Sequence, residues 1–502
     1  MGRLARNAPA NRAYGKPPTN RLPANSRVPR MPLLFRTSRT DTLIAFALAF
    51  IAAAIPAALH AQSAAPAFAP RLDSLITAEM ARTKTPGAQV AVVVDGKLAY
   101  AKGYGVADIE TGRPVSAQTL FRVGSVTKMI TAATLAQLAS DGKLDLQAPI
   151  GNYVTELAGK QVATVTTHQL LTHSAGWLDN AIPFGRMGES ALGEVFREIS
   201  DTLFFTQPGR VISYSNPGYS MAGYIAERAG GARFATLTEQ LVLRKAGMQL
   251  STFKPLEAMT ADFSQGHGGA PMAAGTIVRP FTENTAQWAA GFLFSNTSEF
   301  ARFTMMLMDG GMLEGTRVLS ADAVQQMTTG HAAIPGSPTS KYAYGLRVGT
   351  HGNERIWQHG GAINGFDASV TMFPDRKIAV ILFDNRSGSP IDGVIDLVAK
   401  EVAGITPVVP PAVTAERTPS AAERAQLIGT YKQGRTIVVL FEENDMLKIR
   451  QGGGVLPVML AGDDRLVIVP PVGDKTTLLL VRGDNGRVEY LHQSLRALAR
   501  QP

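Results

Sequence analysis

Between Ser125 and Ser140 the chain reads SVTKMITAATLAQLAS, and Asp141-Gly142 closes the stretch. Alanine, isoleucine, leucine and methionine recur on nearly every side of the helix this predicts. A helix apolar all round is stable only when other elements surround it, and glycine just past its end is the expected stop. The fold must therefore be built around this segment. At 502 residues the chain is long enough to do so in more than one domain.

The surrounding pattern is mixed. Arg71–Arg82 reads as a helix, and Ala88 to Tyr104 alternates around Asp95-Gly96, a two-residue hairpin signal between apolar strands. Residues 143–300 alternate short helices with turn-rich loops. Strands return at Tyr344–Gly349, Ala368–Phe373 and Ile378–Phe383, with Pro374-Asp375 as a turn, and a helix is expected at Ile391–Val402. Strands at both ends with helices between them predict an α+β fold. It is an antiparallel sheet flanked by helices, an α/β sandwich with a helical subdomain. The proline-rich stretch 406–420 reads as a linker that bounds a main domain over 66–405. Beyond it, residues 421–502 hold short β segments between Asn/Asp/Gly turns, the cadence of a small antiparallel β-barrel or sandwich.

The formal net charge is +9, but residues 1–41 carry nine Arg or Lys against one acid, so the rest of the chain is nearly neutral. A body without a basic stripe argues against nucleic-acid binding. The basic stretch, the apolar run 43–59 and the small residues near Ala61 form the pattern of a secretory signal peptide over residues 1–61. Starting at Met31 would leave a leader of ordinary length. The expectation is an exported protein, periplasmic or secreted, with an uncleaved anchor at 43–59 as the alternative. The absence of cysteine removes disulfides, thiolate metal sites and cysteine nucleophiles.

Ser125 and Lys128 stand three apart at the start of the buried helix, where i and i+3 side chains are neighbours. Burial and the positive end of the helix dipole both disfavour a charged lysine. A neutral Lys128 amine is a base for the Ser125 hydroxyl, whose own backbone N–H points from the helix start toward a developing oxyanion. The ordinary alternatives are a helix cap and a satisfied core lysine. A second S-x-x-K, Ser251 to Lys254, runs into Pro255, which pushes Lys254 away from helical geometry. G-x-S-x-G and H-E-x-x-H are absent, and His168 and His173 are five apart, a poor spacing for metal ligands on a helix.

Two further groups supply partners. In Gln207-Pro208-Gly209-Arg210-Val211-Ile212-Ser213-Tyr214-Ser215-Asn216, Tyr214 and Asn216 point the same way if the loop is extended. A phenol passes a proton, and an amide orients a carbonyl or the lysine. In Trp357-Gln358-His359-Gly360-Gly361-Ala362, two glycines after a histidine leave strand backbone open to an acyl substrate, with the Ala362 N–H as a second oxyanion donor.

In this order the three groups resemble the S-x-x-K, Y-x-N and K/H-x-G motifs of the serine β-lactamase and penicillin-binding-protein superfamily, in its class C-like branch. Leu170-Leu171-Thr172-His173-Ser174-Ala175-Gly176 and Asp141-Gly142-Lys143-Leu144-Asp145 are similar to that family too. The resemblance covers roughly 71–402 and implies Ser125 as nucleophile, with Lys128 and Tyr214 sharing proton transfer. Asn216, His359, Gly361 and Ala362 would bind substrate, and neither metal nor cofactor is needed. It implies hydrolysis of small esters or D-amino-acid-containing peptides, with peptidoglycan fragments as a further candidate partner. A β-lactamase proper and a non-turnover penicillin-binding sensor are the alternatives. His359 stands where class C β-lactamases usually carry lysine, and is expected to titrate near neutrality. Asp179 and Asn180 are placed at the pocket's border, and the last domain is similar to a barrel appended to some relatives.

Overall fold

A computed structural model of the chain describes residues 65–179, 187–270, 273–281, 283–388, 390–405, 414–471 and 474–502. The expected leader, Asn180 and residues 406–413 of the expected linker lie outside the described residues. No helix among those described is long and apolar enough to cross a membrane.

Gly87–Val94 and Lys97–Asp108 form the hairpin expected at Asp95-Gly96, and both turn residues adopt positive φ, 51° and 72°. This hairpin pairs with Ile378–Asp384 from far down the chain, in the register Ala88↔Asp384 to Val93↔Ala379. The antiparallel sheet continues through Phe366–Phe373, Glu354–Ile363, Arg347–His351 and Ser337–Tyr342. One face is covered by the helices Ala69–Thr83 and Val394–Ala403, through Leu72, Ile76, Val394 and Val398. The other faces a larger core that encloses the Thr127–Ser140 helix, buried at every residue from Thr127 to Ala136.

Three details position the site. Ser125 lies in a single 3₁₀ turn, Gly124–Val126, just ahead of that helix rather than within it. Gly361 packs so tightly on this turn that a Cβ there would come 2.1 Å from the Val123 carbonyl oxygen and 3.0 Å from the Ser125 nitrogen. The strand expected from Tyr344 begins instead at Arg347, because Gly345 turns at φ 75° against the Lys128 carbonyl, where a Cβ would approach to 2.4 Å.

The C-terminal strands form a closed eight-stranded antiparallel barrel, from Gly429–Gln433 to Arg496–Arg500. Pairing of Gly454–Ala461 with Arg465–Ile468 completes the ring, which removes free sheet edges. Leu427, Tyr431, Leu440, Ile449 and Leu491 fill its interior. Ahead of the barrel, Glu416–Arg417 pairs with Gly454–Ala461, and Ser420 caps the Ala421–Leu427 helix.

Candidate active site

Lys128 is fully buried, and its Nζ has three neighbours: Ser125 Oγ at 3.1 Å, Asn216 Oδ1 at 2.8 Å and the Ala290 carbonyl oxygen at 2.5 Å. Desolvation brings this lysine down to about 7, helped by the Arg496 charge and opposed by Asp179. A neutral amine has two N–H groups and one lone pair. The amide and carbonyl oxygens only accept, so they take the two hydrogens. The lone pair is left for Ser125, the one neighbour able to donate.

Asn216 is oriented for this task. Its Nδ2 donates to Asp179 Oδ1 at 3.1 Å and its backbone N–H donates to the same oxygen at 2.9 Å, which turns the amide oxygen toward Lys128. Asp179 Oδ2 accepts in turn from Arg496 Nε at 3.0 Å and Nη2 at 2.6 Å. Tyr214, also buried, hydrogen-bonds Ser125 and holds its ring centroid 4.7 Å from Lys128 Nζ. Burial raises its phenol above the usual range, so it is protonated at neutral pH.

Ser125, Tyr214, Asn216, His359, Gly361 and Ala362 line one cavity of 640 Å³. Arg347 lines it too, half-buried, and its side chain makes no hydrogen bond or ion pair among the described residues. A cavity of 730 Å³ beside the Asp95-Gly96 turn has no comparable pair: its Ser298 hydroxyl donates to the Ala117 carbonyl. Ser251 and Lys254 are also separated chemically. The serine donates to Glu299 Oε2 at 2.6 Å, and the lysine pairs with Glu257 at 3.2 Å.

The expectation that His359 titrates near neutrality is corrected. Burial pushes its imidazole down to about 3, and the group poised near neutrality is Lys128. Arg496, which no sequence motif marks, reaches the cavity from the last barrel hairpin with Ser494 and Leu495. The Leu495 carbonyl accepts from the Tyr214 N–H at 2.7 Å. An arginine among barrel strands carries no local signal of such a role, because its partner Asp179 is 317 positions away.

A family model described as Beta-lactamase matches residues 72–404. A β-lactamase of Lysobacter lactamgenus is 28% identical over 383 residues, spanning 71% of this chain and 96% of that protein. Esterase EstB of Burkholderia gladioli is 33% identical over 202 residues, 37% of this chain and 51% of the esterase. The crystal structure of SurE with D-Leu shares 26% identity at a TM-score of 0.70, covering 87% of this chain and all of that one.

Proposed function

The chain belongs to the Beta-lactamase family, and from that premise we propose an exported serine hydrolase that cleaves small esters or D-amino-acid-containing peptides through an acyl-serine. One observation carries the reading: at Lys128 Nζ, two acceptor-only oxygens leave a lone pair for the Ser125 hydroxyl 3.1 Å away. Ser125 Oγ attacks the substrate carbonyl as its proton passes to Lys128. The Ser125 and Ala362 N–H groups stabilise the oxyanion, an effect worth about 100- to 1000-fold per donor. Tyr214, hydrogen-bonded to Ser125, relays a proton to the leaving group. Water then attacks the ester with Lys128 and Tyr214 again moving the proton, which restores the serine. Relatives named as esterase and β-lactamase, and a D-leucine complex of a structural neighbour, support this substrate range. The basic and apolar leader supports export.

Arg347 favours a second reading. A half-buried guanidinium in the cavity, whose side chain makes no hydrogen bond or ion pair among the described residues, suits a substrate carboxylate, as in a β-lactam or a peptide C-terminus. Labelling with a fluorescent penicillin and a fluorophosphonate tests the nucleophile. Wild type and Ser251→Ala should label and Ser125→Ala should not; labelling that survives in Ser125→Ala overturns the assignment. A panel of p-nitrophenyl esters, D-amino-acid amides and nitrocefin then ranks substrates, and rapid labelling without turnover on any of them would indicate a sensor.

A further inference from the structure

Along one wall of the cavity and into the core behind it runs a chain of buried groups that the proposed reaction does not use. The Ser215 N–H donates to His173 Nδ1 at 3.1 Å. His173 Nε2 lies 3.1 Å from the Tyr342 hydroxyl, which lies 2.9 Å from His359 Nε2. His359 Nδ1 ends the chain 2.5 Å from the Gly360 carbonyl oxygen. His173 is 1%, Tyr342 0% and His359 7% exposed.

The end groups fix the proton on each imidazole. A backbone N–H only donates, so His173 Nδ1 is an acceptor; a carbonyl only accepts, so His359 Nδ1 carries a hydrogen. Burial, reinforced by the nearby Lys128, holds both imidazoles far below their usual range, and each therefore has one N–H. The His173 hydrogen is then on Nε2 and is donated to Tyr342. The Tyr342 hydroxyl also hydrogen-bonds Tyr219, whose own hydrogen goes to the Leu171 carbonyl, and the bare His359 Nε2 faces that hydroxyl as an acceptor 2.9 Å away. The chain has one direction, no net charge and no unused ring nitrogen.

We infer that His173, Tyr342 and His359 are positioning residues, a one-way neutral strut that holds the Tyr214–Asn216 loop in register with the Gly360–Ala362 backbone. The inference rests on the hydrolase reading for the purpose of the strut, though not for its existence. Its two ends lie next to the functional groups: Ser215 stands between Tyr214 and Asn216, and Gly360 immediately precedes Gly361. With both ring nitrogens engaged by protein, His359 offers none to a substrate, in contrast to the binding role expected from its motif. The strut also brings imidazole to the site without adding a positive charge beside the Lys128 amine.

Histidine-selective ¹⁵N labelling of the full chain tests the strut without any substrate. Eight histidines give a tractable spectrum, and His173→Gln and His359→Gln assign the two that matter. At pH 7 His173 should appear as the neutral Nε2–H tautomer and His359 as the neutral Nδ1–H tautomer. Either imidazole in the opposite tautomer, or protonated, overturns the inference, and this measurement on wild type needs no variant to fold. Tyr342→Phe should shift the His359 Nε2 resonance and slow fluorophosphonate labelling about 10- to 100-fold, the scale of a small misplacement of reacting groups. A folded Tyr342→Phe that labels at the wild-type rate overturns the positioning role. If wild type reacts with no probe or substrate, the hydrolase reading fails and the positioning role with it, while the tautomer spectrum still reports whether the strut exists.

Discussion

At about 7, Lys128 passes from ammonium to amine within the range where enzymes of this kind are assayed. Below that pH its third hydrogen occupies the place of the lone pair, and Ser125 has no acceptor for its proton. Folding depresses this pKa, so the active form is the one present above it. kcat/KM should therefore rise about tenfold per pH unit below 7 and level off above it. His359→Gln should leave that limb in place, since His359 is already neutral throughout. A limb that disappears in His359→Gln would return the titration to the imidazole. Lys128→Met removes the base and should cost about 100- to 10,000-fold in turnover, measured against an ester. Gly361→Ala should be nearly as damaging, because its Cβ would sit 2.1 Å from the Val123 carbonyl oxygen and displace the Ser125 turn; an active, stable Gly361→Ala would contradict that packing.

Among the elements, the last barrel hairpin has the most reach. Its turn residues Ser494 and Leu495 take positive φ, 47° and 65°, and deliver the Leu495 carbonyl to Tyr214 and Arg496 to Asp179. The Arg496 charge lowers the Lys128 pKa and Asp179 raises it. Arg496→Gln should leave Asp179 uncompensated and move the acid limb of kcat/KM to higher pH; an unmoved limb would show that the pair is electrostatically silent. That Ser125, Lys128, Tyr214, Asn216, His359 and Gly361 belong to one group was legible in the sequence because each of the three motifs is a short local pattern, and the fold brings them to one cavity. The Asp95-Gly96 hairpin and the buried helix were legible for the same reason. Asp384 illustrates what was not: it ends a strand that pairs with Ala88, so its complete burial depends on a register set across most of the chain. Tyr342 and Arg496 likewise act through partners that no local pattern names.

Over the whole molecule, the barrel is fastened to the loop that carries Tyr214. Thr206 and Tyr490 share a hydrogen bond of 2.6 Å, and Ser213 Oγ accepts from Gln433 at 2.7 Å and from the Ala497 N–H at 3.1 Å. His492 lies 3.1 Å from the Ile212 carbonyl oxygen, and Val211 packs on Tyr490 and Ala497. A chain truncated before Ala421 should lose these supports together. We expect its turnover to fall at least about 100-fold as Tyr214 and Asn216 lose their placement. A truncated protein of undiminished or higher turnover would recast the barrel as an obstruction.

The clasp of Leu495 and Arg496 on the Tyr214 loop also orders events in time. A ribosome releases Ser125 and Lys128 long before it has made the hairpin that fixes their companions. Until that hairpin exists, the contacts that hold the Tyr214 backbone and the Asp179 carboxylate in place are incomplete.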